Sequence, residues 1–231
     1  MKAESMKIEN IPAILWGGKS KSVYIYVHGK KSDKEEAQYF AEKATAKGFQ
    51  VLSFDLPEHG YRKHENYSCM IWNGVNDLCI IGQYVQQNWS DIYLYGSSIG
   101  AYFSLLAYKD LPIRKCLFLS PILDMERLIQ NIMKWFDVSE QDLKERQEIP
   151  TPMGETLYWD YYCYVQENPV NKWSAPTAIL CGSEDNLTER AVFEDFSKRF
   201  DCKLTVLEGG EHWFNTERQL TFLDSWLDAA I

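Results

Sequence analysis

Along the chain, short runs rich in Val, Ile, Leu, Phe and Tyr alternate with longer stretches whose apolar residues recur every three or four positions. The short runs fall at 23–29 (VYIYVHG), 50–56 (QVLSFDL), 91–96 (DIYLYG), 115–120 (KCLFLS), 177–182 (TAILCG) and 203–209 (KLTVLEG). Nearly continuous apolar runs of this length predict strands covered on both faces, as in a parallel sheet. The longer stretches predict helices over 32–48, 73–88, 99–109, 188–200 and 216–229. The first has Ser32 as its predicted N-cap, Glu35 three residues on, and a stop at Gly48. Such alternation predicts an α/β chain: a three-layer α/β/α sandwich around a mostly parallel central sheet of about seven to eight strands. Residues 8–18 (IENIPAILWGG) predict an antiparallel edge strand or a hairpin.

Between 122 and 173 the alternation breaks. ILDMERLIQNIMKWFDVSEQDLKERQ reads as two short amphipathic helices, followed by prolines and a dense aromatic cluster, IPTPMGETLYWDYYCYVQENPV. Connections between a helix and a strand usually take a few residues, so a stretch this long predicts an inserted cap. The chain shows no internal repeat and no low-complexity tract.

Composition narrows the picture further. The 231 residues, 45% of them hydrophobic, suffice for one substantial core, and the whole of 1–231 is expected to form a single domain with 122–173 as its cap or lid. A formal charge of −9 with scattered basic residues argues against nucleic acid; the one short basic run, Lys19 to Lys21, reads as a solvated turn. No apolar run reaches the roughly 20 residues of a membrane span. The N-terminus MKAESMKIEN lacks the apolar core of a signal peptide, so a cytoplasmic protein is expected. Its six cysteines form no C-x-x-C pair, and Cys116 and Cys181 lie inside apolar runs, as reduced structural thiols do.

One short motif carries chemistry. Gly96-Ser97-Ser98-Ile99-Gly100 fits G-x-S-x-G at a predicted strand-to-helix switch, where a serine is held on a sharp exposed turn. Ser98 then stands at a helix N-terminus, which favours negative charge developing nearby. Ser97, its neighbour, lacks the leading glycine of the motif. A serine hydroxyl needs a base, and the base an orienting acid. Of four histidines, His212 lies in a glycine-bearing loop after the last strand (LEGGEHWFNTE), His28 ends a strand, His59 sits in a turn, and His64 lies in a charged surface stretch. The acid candidates follow strands too: Asp185 in GSEDNL, with Glu184 beside it, and Asp124 after FLSPIL. Asp185 is preferred, because groups just beyond strand carboxyl ends converge in open α/β sheets.

Taken in order, HG (28–29), DLPEHG (55–60), GSSIGA (96–101), GSEDNL (182–187) and GEHWF (210–214) resemble the α/β-hydrolase family along nearly the whole chain, its serine esterases and monoacylglycerol lipases in particular. Three departures stand out: Ser97 precedes the nucleophile position, Lys30 and Lys31 follow the H-G turn, and Glu58 stands where glycine is usual. The resemblance implies a Ser98–His212–Asp185 triad, with the backbone N–H groups of Ile99 and Lys30 as the oxyanion hole and no metal or organic cofactor. His28 and His59 are expected to shape their loops. Trp135, Phe136, Tyr158, Trp159, Tyr161, Tyr162 and Tyr164 are candidates either to line a substrate pocket or to pack the cap, with Trp213 as a wall of the site. The implied reaction is cleavage of a small-molecule carboxylic ester with a small to medium acyl chain. Amide or small-peptide hydrolysis and thioester hydrolysis are the alternative chemistries. A non-catalytic binding protein of the same fold is the other class, and it is expected to lack a member of the triad.

Overall fold

The computed structural model of the protein describes residues 1–231. Its N-terminal segment forms the hairpin rather than a lone edge strand: β1 (Ala3–Ile8) turns at Glu9, φ 51°, into β2 (Ile11–Trp16). The predicted strands follow as β3 (Ser22–Val27), β4 (Gln50–Phe54), β5 (Asp91–Ser97) and β6 (Ile113–Leu119). A small separate hairpin, β7 (Glu148–Pro150) and β8 (Thr156–Tyr158), precedes β9 (Thr177–Gly182) and β10 (Lys203–Leu207). Eight strands form one sheet in the order β1-β2-β4-β3-β5-β6-β9-β10. Pairing is antiparallel from β1 to β4 and parallel from there on.

β3 shows why the sheet lies at the centre. Val23, Ile25 and Val27 point into one core, and Tyr24 and Tyr26 into a second on the opposite face. Both sets are buried, so the strand is apolar at each position from Val23 to Val27 rather than at alternate ones. The first core is covered by α2 (Ile71–Asn88) and α3 (Ser98–Ala107), through Leu78, Ile81 and Phe103. The second is covered by α1 (Ala37–Ala46) and the C-terminal α8 (Glu217–Ala230), through Phe40, Ala41, Leu223 and Leu227. Burying each such side chain contributes about 1.5–3 kcal/mol, and both faces of the sheet collect it.

The first helix does not start at Ser32. Asp33 caps it, accepting the Glu35 N–H at 3.0 Å, because the chain enters through a 3₁₀ turn over Lys34–Glu36 that moves the cap by one residue. The stretch 122–173 contains the two amphipathic helices, α4 (Met125–Trp135) and α5 (Glu140–Arg146), then the β7–β8 hairpin and α6 (Trp159–Glu167). The remaining helix, α7 (Arg190–Arg199), follows β9. No helix is long and apolar enough to cross a membrane.

Strand register sets up the functional edge. Val27 pairs with Gly96, Ser97 with Leu119, Leu119 with Leu180, and Gly182 with Leu207. The parallel strands therefore end level, and the loops after β3, β5, β9 and β10 emerge on one side of the sheet.

Candidate active site

β5 ends at Ser97 and α3 begins at Ser98, whose φ of 49° is left-handed. A non-glycine residue held there costs on the order of 1–3 kcal/mol, which the packing around it must offset. Gly100 makes that packing possible. A Cβ at this position would stand 2.3 Å from the His28 carbonyl oxygen and 2.7 Å from that of Val27. The first turn of α3 thus lies directly on the end of β3.

The hydroxyl of Ser98 and Nε2 of His212 are 3.0 Å apart, across 114 residues of sequence. On the other side of the ring, His212 Nδ1–H donates to Asp185 Oδ2 at 2.8 Å. Oδ1 of Asp185 accepts the backbone N–H groups of Leu187 and Thr188, both at 2.9 Å, which fixes the carboxylate in the turn after β9. Both side chains of this pair are about 1% exposed. The loops that carry them touch at Gly182, where a Cβ would fall 2.0 Å from the Gly210 carbonyl oxygen. With Nδ1 committed as donor, Nε2 presents a lone pair to Ser98 and can accept its proton. Ser97 makes no bond to the imidazole.

Asp124, the competing acid, is the N-cap of α4 and accepts the Arg127 N–H at 2.9 Å. Glu184 is exposed.

Gly29 lies against the serine turn, its added Cβ meeting Ser97 Oγ and Ser98 Cβ at 3.3 Å. The next amide, Lys30 N–H, makes no backbone hydrogen bond, and Ile99 N–H sits in the first turn of α3, where the helix supplies no partner. Two unpaired amides, one from the loop after β3 and one from the first turn of α3, thus lie near Ser98. His28, fully buried, donates from Nδ1 to the Gly29 carbonyl at 2.7 Å and accepts the Leu56 N–H on Nε2 at 3.1 Å. Burial lowers its pKa to about 4, so the ring is neutral in both roles. His59, lowered for the same reason, donates to the Pro57 carbonyl at 2.7 Å. Buried Asp55 clamps the turn between them. It accepts the N–H groups of Lys34 and Tyr61, each at 3.0 Å, and pairs with Lys34 Nζ at 2.9 Å. Glu58 takes the left-handed conformation that glycine would adopt freely, φ 61°, and its carboxylate receives the Cys69 N–H at 2.6 Å.

Ser98 opens onto a cavity of about 300 Å³ lined mainly by apolar side chains. Met125, Leu128, Ile129 and Ile132, one face of α4, form much of the wall. Of the aromatic candidates, Tyr158, Tyr161 and Trp213 line it. Trp135, Trp159 and Tyr162 do not. Trp135 ends α4 facing solvent, Tyr162 is buried with its hydroxyl on Gln130, and Trp159 packs on Tyr162. The α4 stripe was visible as 3.6-residue periodicity, but periodicity does not say whether an apolar face meets a core or a cavity.

No family model matches the chain. Among solved structures it is similar to Est1E from Butyrivibrio proteoclasticus with ferulic acid bound, at 20% identity and TM-score 0.79 over 98% of this chain and 97% of that one. Alpha/beta hydrolase domain-containing protein 10 from mouse gives 14% identity and TM-score 0.78 over 99% and 98%. An esterase of Pyrococcus furiosus gives 18% and 0.70 over 99% and 88%. The chain has the α/β-hydrolase fold. In sequence, 111 residues (45% of the chain) are 28% identical to Hydrolase phmG of Phaeosphaeria nodorum, and the match takes in 25% of that protein's length.

Proposed function

We propose that the protein is a serine hydrolase that cleaves carboxylic esters with small to medium acyl chains through an acyl-enzyme. The observation that carries this reading is the hydrogen-bonded line Ser98–His212–Asp185 at the mouth of an apolar cavity. His212 Nε2 takes the hydroxyl proton as Ser98 Oγ attacks the carbonyl carbon, while Asp185 holds the Nδ1–H tautomer and stabilises the imidazolium. Oxyanion charge develops between the amides of Ile99 and Lys30, each such donor typically worth about 3 kcal/mol in the transition state. The imidazolium then protonates the departing alkoxide. Water attacks the acyl-enzyme by the same route and releases the acid. Solved structures similar in fold include proteins named as esterases, which favours an ester over an amide as the first substrate to try.

The test is labelling by a fluorophosphonate and hydrolysis of p-nitrophenyl acetate, butyrate and octanoate, with Ser98→Ala and Ser97→Ala alongside. Labelling and turnover in wild type and Ser97→Ala, both absent in Ser98→Ala, are expected. A wild-type protein that neither labels nor turns over any ester sinks the proposal.

A further inference from the structure

Cavity walls of Met, Leu and Ile would accept any apolar group, yet one part of this cavity is polar. Tyr161 lines it beside Lys30 and Glu155, which form an ion pair between the loop after β3 and the turn of the β7–β8 hairpin. The Tyr161 hydroxyl makes no hydrogen bond to the protein, and it is not among the occluded, unpartnered polar atoms of the interior. Burial, and after it the neighbouring Tyr102, Cys69 and Glu155, push the phenol well above its usual pKa. Since Tyr161 lines the cavity, a hydroxyl so enclosed, still reachable and without a partner, is open to a ligand held there. Buried polar groups nearly always have a partner, and phenylalanine would fill the same space without needing one.

Resting on the hydrolase reading above, we propose that Tyr161 determines specificity by hydrogen-bonding a hydroxyl carried on the apolar limb of the substrate, with the Glu155 carboxylate as that hydroxyl's acceptor. The phenol donates to the substrate oxygen and the substrate O–H donates to Glu155, so both protein groups are used. A substrate lacking the hydroxyl leaves the phenol unpaired on binding, which is the arrangement that discriminates most strongly between near-isosteres.

Two matched pairs of esters test this, one for each limb: methyl 3-(4-hydroxyphenyl)propanoate against methyl 3-phenylpropanoate, and 2-(4-hydroxyphenyl)ethyl acetate against 2-phenylethyl acetate. Wild type is expected to favour the hydroxylated member of at least one pair by about 10- to 100-fold in kcat/KM. Tyr161→Phe should bring that ratio to within about threefold of unity. No preference in wild type for either pair overturns the proposal, whatever the variant does. A preference that survives in Tyr161→Phe overturns it equally. Calorimetric binding of 3-(4-hydroxyphenyl)propanoate against 3-phenylpropanoate gives the same ratio without turnover. A dead enzyme that still shows the Tyr161-dependent binding preference therefore separates failure of the hydrolase reading from failure of this one.

Discussion

Acid should loosen this protein through one residue. His28 is fully buried, and its two ring nitrogens are committed as donor to Gly29 and acceptor from Leu56. Protonation would abolish the acceptor and place an unsolvated charge behind the loop that carries the Lys30 amide. Its pKa falls from 6.5 to about 4, chiefly through burial. Between those values the unfolded chain binds a proton that the native state refuses, so stability rises with pH across the window. The contribution is complete above pH 6.5 and lost as pH falls to 4; the full difference is about 3 kcal/mol, most of it spent by pH 4.5. Urea unfolding followed by tryptophan fluorescence at several pH values from 7.5 to 4.5, on wild type and His28→Gln, isolates the effect. Glutamine keeps a donor and an acceptor but does not titrate, and the other ionisable groups, His59 included, are common to both proteins. The stability of wild type relative to the variant should fall by about 2–3 kcal/mol over that range. Parallel curves for the two proteins would refute the neutral, buried role of His28.

Other substitutions separate chemistry from scaffold. Asp185→Asn should lower kcat for p-nitrophenyl butyrate by about 10⁴-fold, because the imidazole tautomer is no longer fixed. Asp124→Asn should leave kcat alone, and Asp124→Ala should cost about 1 kcal/mol of stability through loss of the α4 cap, read from urea midpoints. Gly100→Ala should destabilise by about 1–3 kcal/mol and cut kcat more than tenfold, since the new methyl meets backbone oxygens of Val27 and His28 that cannot swing aside. Retained wild-type kcat there would show that the β3 loop is not part of the catalytic geometry. Ile132→Trp should depress kcat/KM for the octanoate far more than for the acetate, as α4 forms the apolar wall of the cavity.

What the sequence determined by itself was whatever depends on neighbours a few residues away. Six strands were legible because a strand apolar at successive positions must be covered on both faces, and β3 and β9 are buried along nearly their whole length. Ser98 was legible as a candidate because a strand period turns into a helix period at that residue. The order of strands in the sheet, with β4 between β2 and β3, was not legible, since pairing is decided by which faces bury together. Asp185 was preferred over Asp124 although both follow strands, and it is the contact of the Gly182 and Gly210 loops that brings it to His212. The aromatics of 158–164 share one composition and divide by orientation, Tyr158 and Tyr161 toward the cavity and Tyr162 into the core. Local spacing fixes which residues share a face of an element. What that face meets, be it core, solvent or a cavity above a serine, is decided when elements far apart in the chain close on one another.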